Sequence, residues 1–506
     1  MDYLPIILFI ILILSLSFNY ITLSHKTTAI EIVNKMGIGI NLGNLFDSYD
    51  ENIKEIKTPD EQITLYGNVA PTKNMILNIK KNGYKIIRLP ITWLYFMDQS
   101  GIVNSEWMSR IKEVVKWIIN YNMYCIINVH NDGKEGNWLS KGIDSKEKYE
   151  ILWTQIANEF KDFSEYLIFE SMNEVEYILG DSYDYKTLFS LTQSFVDIVR
   201  NSGGKNSERL LLISGANADY ELTVSDDYIM PIDPSNKLAM SIHYYAPYEF
   251  TKENCNNSKK TWGDYFDYDE IMTNFYIMRV SFVDKGIPII LGEIGVITED
   301  GKEKESIEEY LYTVFSLSWE FDGVMPCLWD TSNKNTGNMN FYNRETNTWH
   351  DEKIYNSLLG VSKGKFVSMW DNFIYTNQEK ITYFDEKGNI NYYFDDLHLL
   401  TITFNVKFNK NASYTDIEIY SFDKNGDEIK INFGKKNSIK QYVGTFTCLI
   451  NTTNIECYEY IYSIKSENYE NIIFNYFIFE FEEYVSVFDY ESYKNQVITN
   501  VNSKPK

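Results

Sequence analysis

Two glutamates follow apolar stretches of the chain in a way that could support acid–base chemistry. Glu174 ends the run YLIFESMNE and Glu293 ends the run PIILGE. A carboxyl group beside a low-dielectric core has a raised pKa where no cation compensates. Two carboxyl groups across a cleft can cleave a glycosidic bond, because one protonates the leaving oxygen while the other meets the oxocarbenium-like carbon. The pair therefore predicts a glycosidase site.

Unequal surroundings predict which glutamate does which part of the reaction. Asn173 precedes Glu174 and can donate a hydrogen bond to a sugar 2-hydroxyl, a contact that tightens in the transition state. Arg88 and the hydroxyl of Tyr245 would keep Glu293 ionised if all three lie at one face of the fold. We therefore predict Glu174 as the acid/base and Glu293 as the nucleophile.

Three further residues follow strand-like runs and favour the same site. His130 and His243 are two of only five histidines in the chain. An active-site role for them is favoured over that of a buried core histidine, because an imidazole changes its charge near neutral pH. Trp329 offers a flat face on which a sugar ring can stack. Any one of these residues could simply cap a loop, but so many together indicate a shared site.

The elements that must position these residues alternate between short β-rich runs and amphipathic helices from about residue 29 to residue 360. We predict strands at 36–40, 85–89, 124–129, 167–171, 210–214, 239–243, 288–291 and 323–328. Predicted helices include 75–82, 107–121, 146–160, 186–202, 268–285 and 304–321. Eight such units predict an α/β fold, a (β/α)8 TIM barrel, whose active site lies at the carboxyl ends of the strands. A doubly wound sheet is disfavoured because no Gly-rich phosphate loop follows the first strand.

The pattern changes near residue 364 to alternating β-branched and aromatic runs with turn signals such as DEKGN and DKNGD. We predict a catalytic domain at 29–362 and a C-terminal all-β, β-sandwich-like accessory domain at 365–506. Its role is either to bind carbohydrate or to support the barrel. Since no Pro/Thr/Ser-rich linker separates the two units, we expect them to pack together.

Residues 1–28 begin with an apolar stretch, and positions 3–24 hold no charged residue. We expect a cleaved signal peptide and therefore a secreted protein. Because the stretch is also long enough to span a bilayer, an uncleaved membrane anchor facing outside is the alternative.

Cysteine spacing and charge exclude several classes of protein. Cys125 and Cys327 lie in apolar runs and are expected to be buried and free. Cys448 and Cys457 could form a disulfide, which would leave Cys255 unpaired. No spacing fits a zinc site, and we expect neither a metal nor a cofactor. A net charge of −24 excludes nucleic acid as a partner, whereas 40 Tyr, 30 Phe and 10 Trp suit a neutral sugar ligand. No obligate protein partner is indicated.

Seven short motifs, in order, resemble glycoside hydrolase family 5, and most closely its endo-β-1,4-glucanases. They are GINLGN (39–44), RLPITW (88–93), NVHND (128–132), ESMNE (170–174), HYYAPYEF (243–250), LGEIG (291–295) and LWD (328–330). The resemblance covers about residues 31–359. It implies a retaining mechanism on a β-1,4-glucan, with Glu174 and Glu293 in the roles given above. The remaining family active-site positions are matched by Arg88, His130, Asn173, His243, Tyr245 and Trp329.

Two positions depart from the family pattern, which often has Trp in place of Ile40 and His in place of Asn131. These departures concern subsite contacts rather than the chemistry. The same catalytic set could act on xyloglucan, mixed-linkage glucan or β-mannan. Outside the enzyme class, the alternatives are a catalytically silent carbohydrate-binding barrel and a structural wall protein held by its N-terminal segment.

Overall fold

The structure of the protein is a computed structural model that describes residues 27–180, 182–252, 259–298, 301–332 and 338–369, together with short segments of the C-terminal part. Eight parallel strands close into a barrel in which each strand pairs with its neighbours in sequence, and the last pairs with the first. The strands are β1 (Gly39–Asn41), β2 (Ile86–Leu89), β3 (Tyr124–Ile127), β4 (Leu167–Glu170), β5 (Leu211–Asp219), β6 (Leu238–Tyr244), β7 (Ile289–Ile294) and β8 (Val324–Leu328).

Helices surround this barrel and close its lower end. They are α1 (Ala29–Met36), α2 (Lys73–Lys81), α3 (Ser105–Asn120), α4 (Lys146–Phe160), α5 (Tyr185–Asn201), α6 (Tyr265–Ser281), α7 (Lys304–Glu320) and α8 (Glu352–Val361). Shorter helices are Pro59–Ile63, Tyr220–Thr223 and Tyr248–Thr251. Several begin with a side-chain cap that satisfies a free backbone N–H: Thr72, Asn104 and Asp184 each accept from the first turn.

Alternation along the strands produces two apolar cores. One face of β2 and β3 packs Ile87 and Ile127 against the surrounding helices. The other face directs Ile86 and Ile126 into the barrel, where they meet Val33 of α1. Because side chains in a strand alternate with a period of two, each interior apolar residue is followed two positions later by another inward side chain. Strand alternation therefore decides which side chains form the layer of the barrel interior above these apolar residues.

The predicted (β/α)8 barrel is confirmed, with all eight strands in the expected order. Strand ends differ by a few residues. The first strand begins at Gly39 rather than at Met36, because Met36 ends α1 and is buried with it. The fifth strand continues to Asp219 through a bulge after Ser214, and the seventh to Ile294. Cys125 and Cys327 are buried and free, as predicted.

The chain after α8 continues to pack on the barrel. The backbone N–H of Val367 donates to the Tyr312 hydroxyl at 2.8 Å, and Met369 is buried. Further along, the ring of Tyr493 meets Tyr268 of α6 edge-on at 5.3 Å, and Lys494 pairs with Glu309 of α7 at 3.1 Å. The described C-terminal residues 493 and 494 therefore contact helices of the barrel.

Of the predicted all-β domain, the structure describes three antiparallel strand pairs. They join Phe373–Thr376 with Val485–Phe488, Leu399–Thr401 with Thr447–Leu449, and Glu418–Phe422 with Glu428–Asn432. Apart from residues 365–369, 493, 494 and 496, the rest of that domain lies outside the described residues. So do the N-terminal segment 1–26, Cys255 and Cys457. In the part of the chain that is described, we find no helix long and apolar enough to cross a bilayer.

Candidate active site

The top layer of the barrel interior is polar and carries the site. Arg88 follows Ile86 by two positions on β2, Glu170 follows Ile168 on β4, and Ser241 follows Ala239 on β6. All three polar side chains are buried. Strand alternation therefore places a charged network directly on top of the apolar interior, where the barrel opens toward the βα loops.

Arg88 is the centre of this network. Its guanidinium donates to both oxygens of Glu170 at 2.8 and 3.2 Å and to Glu293 at 2.8 Å. It also donates to the amide oxygens of Asn173 at 2.8 Å and Asn41 at 3.0 Å. Burial would lower the pKa of Arg88, but the charges of Glu170 and Glu293 outweigh it and raise the pKa. The side chain is a permanent cation with two carboxylate partners.

Glu170 and Ser241 are site residues that the sequence reasoning missed. Glu170 binds Arg88 and accepts from the Ser241 hydroxyl at 2.6 Å, so both of its oxygens are used. Glu170 is the first residue of the motif ESMNE. The sequence could have indicated its role, because it is a charged residue at an inward-facing position of a buried strand. Such a charge requires a partner of opposite sign. Glu170 therefore orients Arg88.

Glu293 receives one donor on each carboxylate oxygen. Arg88 binds Oε1 at 2.8 Å, and the Tyr245 hydroxyl binds Oε2 at 2.9 Å. Burial, followed by the charge of Glu293, raises the pKa of Tyr245 well above its usual value, so the phenol keeps its proton and remains a donor. Two donors at one carboxylate suit an ionised group that accepts at both oxygens. Arg88 and Tyr245 thus lie where the sequence analysis expected them.

Glu174 lies on the open side of the site, with 41% of its side chain exposed. Its Oε1 is 2.6 Å from Nδ1 of His243. Burial alone would raise the pKa of Glu174, but the hydrogen bond with His243 and the positive charges of His243, Lys252 and Arg88 lower it. The condition attached to a raised pKa, that no cation compensates, is therefore not met, because Arg88 of β2, His243 of β6 and Lys252 oppose the effect of burial.

The two glutamates lie close together across the cleft. An oxygen of Glu174, an oxygen of Glu293 and a ring nitrogen of His243 all lie within 4.8 Å of one another. Among the described residues, these three are the group of His, Cys, Asp or Glu side chains whose ligand atoms lie close enough together to hold a metal ion. The guanidinium of Arg88, 2.8 Å from Glu293, already supplies a positive charge there. The short separation favours direct attack by a carboxylate over attack by an interposed water, which needs carboxyl groups about 6.5–9.5 Å apart.

His130 and Trp329 form one wall of the cleft. Their rings are parallel to within 8° with centroids 5.9 Å apart. Burial lowers the pKa of His130 well below its usual value, so the imidazole is neutral. The cleft has a volume of about 520 Å³ and is open to solvent. Trp329 is partly exposed within it and can present a ring face to a sugar.

A second buried arginine holds the loops beneath Trp329. Arg344 donates to the backbone oxygen of Gly43 at 2.6 Å and to Oδ2 of Asp330 at 2.9 Å. A Cβ added at Gly43 would lie 2.9 Å from the Trp329 ring, so only glycine allows this close approach. Arg344 lies in NRETNTW, the stretch after the eighth strand, and sequence reasoning gave it no role.

The barrel residues match a known family. Residues 46–335 match the model of the cellulase family, glycosyl hydrolase family 5. This match covers more than half of the chain. The chain belongs to glycosyl hydrolase family 5. The family predicted from the seven motifs is therefore confirmed.

Relatives of this family 5 chain are endoglucanases. Endoglucanase A of Clostridium longisporum is 33% identical over 348 residues, which is 66% of this chain and 65% of the relative. Endoglucanase A of Paenibacillus barcinonensis is 32% identical over 374 residues, 66% of this chain and 90% of the relative. A solved structure, a broad specificity endoglucanase from an uncultured bovine rumen ciliate, is 54% identical with a TM-score of 0.65, covering 67% of this chain and 98% of that one. The predicted endo-β-1,4-glucanase is thus confirmed for the barrel.

The two departures from the family 5 pattern lie outside the carboxylate network. Ile40 is buried in the apolar core. Asn131 lines the cleft and donates from its amide to the backbone oxygen of Asp47 at 2.6 Å. Burial raises the pKa of Asp47 to about 6, although the backbone N–H groups of Asn44 and Leu45 oppose this. Asn131 and Asp47 line the cleft, whereas Ile40 does not, so of the two departures only Asn131 lies at the cleft surface.

Replacing Glu170 by Gln tests whether it orients Arg88. We expect kcat to fall roughly 10- to 100-fold with a smaller change in KM, because a misoriented guanidinium displaces Glu293 while no substrate atom touches the buried Glu170. Steady-state kinetics on a soluble β-glucan measures both. Glu308→Gln is the matched control, since Glu308 is also buried but bonds Ser357 on the outer helices. A wild-type kcat in Glu170→Gln would exclude the positioning role.

Lys252 predicts a pH effect with a defined sign. Its positive charge favours the ionised form of Glu174. In Lys252→Met the pKa of Glu174 should rise and Glu174 should hold its proton to higher pH, so the alkaline limb of the kcat/KM profile should move to higher pH. Lys252→Arg, which keeps the charge, should leave that limb in place. If the alkaline limb of Lys252→Met is unchanged or moves to lower pH, then the charge of Lys252 does not lower the pKa of Glu174.

Proposed function

We propose that this protein is a retaining endo-β-1,4-glucanase of broad specificity, with Glu174 as acid/base and Glu293 as nucleophile. The observation that carries the proposal is the pairing of the two carboxylates within 4.8 Å, one exposed and the other enclosed by Arg88 and Tyr245. A retaining glycosidase needs about this separation. With both carboxylates in place, a catalytically silent carbohydrate-binding barrel is the poorer interpretation.

In the first step, Glu293 attacks the anomeric carbon from one face while Glu174 gives its proton to the glycosidic oxygen on the other. The bond to the leaving sugar breaks and an ester to Glu293 forms. In the second step, Glu174 takes a proton from water, the oxygen of that water attacks the same carbon, and Glu293 leaves as a carboxylate. Two inversions at one carbon give net retention of the β configuration.

Binding of the sugar whose bond is cleaved uses groups already held in place. Arg88 occupies the amide oxygen of Asn173, which leaves the amide nitrogen to donate to a 2-hydroxyl in the cleft. The ring of Trp329, backed by His130, supports the apolar face of the sugar. His243 bonds Glu174 and so keeps its carboxyl directed at the cleft.

Broad specificity is proposed from the open cleft and from the relatives. The rumen ciliate enzyme is described as a broad specificity endoglucanase. A relative from Bacteroides ovatus, 29% identical, is a xyloglucan-specific endo-β-1,4-glucanase, and a structure from Caldicellulosiruptor, 30% identical, is a lichenase.

A polysaccharide substrate lies outside the cytosol, so an enzyme that hydrolyses it must be exported. Residues 3–24 form an uncharged, largely apolar segment, which is consistent with export. We propose that the protein is exported.

A panel of polysaccharides tests the substrate range. We expect hydrolysis of soluble cellulose derivatives, mixed-linkage glucan and xyloglucan within about tenfold of one another, because all present a β-1,4-linked glucose backbone to the same carboxylates. Mannan and xylan should be cleaved much more slowly. Reducing-sugar release measures this. A preference for mannan, or no hydrolysis of any β-glucan, would contradict the proposal.

Chemical rescue separates the two glutamates. In Glu174→Ala an activated aryl cellobioside should still form the glycosyl-enzyme, because its phenol leaves without a proton, and deglycosylation should become limiting. Added azide should then restore turnover and give a β-glycosyl azide. Glu293→Ala lacks the nucleophile and should give no β-azide. A β-azide from Glu293→Ala, or none from either variant, would mean that the roles are reversed or that other carboxylates act.

A further inference from the structure

We propose that Arg344 is a positioning residue for glucan binding, because it fixes the two loops between which the ring of Trp329 lies. The proposal rests on the function proposed above. The side chain of Arg344 is fully buried, with 0% of it exposed, so it touches no substrate atom. Any effect of Arg344 on binding must therefore pass through the residues that it holds.

The guanidinium of Arg344 joins the loops that follow β1 and β8. It donates to the backbone oxygen of Gly43 at 2.6 Å and also to the backbone oxygen of Asp330. The two backbones meet directly as well, since the N–H of Gly43 donates to the oxygen of Asp330 at 3.2 Å. A planar guanidinium binds two acceptors in a fixed geometry. Arg344 therefore fixes the distance between the two loops.

The carboxylate of Asp330 extends this link to the segment that returns after β8. Its Oδ2 accepts from Arg344 at 2.9 Å, and its Oδ1 accepts from the backbone N–H groups of Phe341 and Tyr342, each at 2.9 Å. The carboxylate is as fully buried as the guanidinium. Loss of one partner of a buried ion pair leaves the other charge uncompensated. The backbone one residue beyond Trp329 is thus held by a charge pair and by the loop after β1.

The ring of Trp329 lies against the loops that Arg344 joins. A Cβ at Gly43 would be 2.9 Å from this ring, so the backbone of the β1 loop is in direct contact with its edge. The ring of His130 lies parallel to it, with the centroids 5.9 Å apart. Trp329 lines the cleft, and an aromatic ring packs on a sugar only in a suitable orientation. A shift of the Gly43 loop would therefore change the fit between Trp329 and the glucan.

The test measures the affinity for cellotetraose in a Glu293→Gln background, which should bind the substrate without cleaving it. Arg344→Lys keeps the charge but loses the planar fork that reaches both loops. We expect the Kd for cellotetraose to rise about 3- to 10-fold, the size of effect that an aromatic contact produces. Isothermal titration calorimetry gives this Kd independently of the folded fraction, which enters the stoichiometry instead.

Two comparisons separate positioning from a loss of stability. In Trp329→Ala, where the ring is absent, Arg344→Lys should change the Kd by less than about twofold. Arg209→Lys is the matched control, because Arg209 is also buried and donates to the backbone oxygens of Ser164 and Phe163. These residues precede β4 and β5, at the end of the barrel opposite the cleft. Arg209→Lys should lower the melting temperature without changing the Kd.

An unchanged Kd in Arg344→Lys would overturn the positioning role. So would a rise by the same factor with and without the Trp329 ring, because Arg344 would then act through another group. Hydrolysis tests the proposed function separately. If the protein with Glu293 intact binds cellotetraose but does not cleave it, the proposed function is wrong, and the Kd comparison still decides the role of Arg344.

Discussion

The buried guanidinium of Arg88 is the constraint on which the rest of the site depends. A charge enclosed above an apolar barrel interior is tolerated only with paired and hydrogen-bonded partners, and removing one partner of such a pair costs about 3–5 kcal/mol. Glu170 and Glu293 neutralise Arg88 from β4 and β7, and Asn41 and Asn173 complete its bonds. One side chain on β2 therefore fixes groups that come from three other strands. Glu293 is held where it can attack.

The surroundings of Glu174 and Glu293 also explain why the two residues take different catalytic roles. Glu293 is enclosed, with a permanent cation on one oxygen and a phenol on the other. Glu174 is more exposed, and its Oε1 lies 2.6 Å from Nδ1 of its partner His243. A nucleophile must stay ionised, whereas an acid/base must gain and lose a proton in each cycle. The guanidinium of Arg88 keeps Glu293 ionised, whereas Glu174 is open to solvent and hydrogen-bonded to an imidazole, so it can gain and lose a proton.

Much of the fold and of the site could be predicted from the sequence, because both are determined by short sequence patterns. Eight apolar runs with helices between them predict a barrel, and polar residues after those runs predict its mouth. Glu170 and Ser241 lie inside predicted strands and were given no role, although strand alternation turns both into the barrel beside Arg88. The lowered pKa of Glu174 could not be read from the sequence, since it depends on His243 of β6 and on Lys252, which only the closed barrel brings beside Glu174. The role of Arg344 depends likewise on where the loop after β8 returns.

The assignment of Glu293 as the residue that becomes covalently bonded is tested most directly by trapping the intermediate. A 2-deoxy-2-fluoro-β-cellobiosyl fluoride retains a good leaving group while slowing the second step, so the glycosyl-enzyme should accumulate. Intact mass should rise by one 2-fluorocellobiosyl group, and peptide mapping should place that group on Glu293. A label on Glu174 or Glu170, or turnover of natural substrate with no label at all, would contradict the geometry described for Arg88 and its partners.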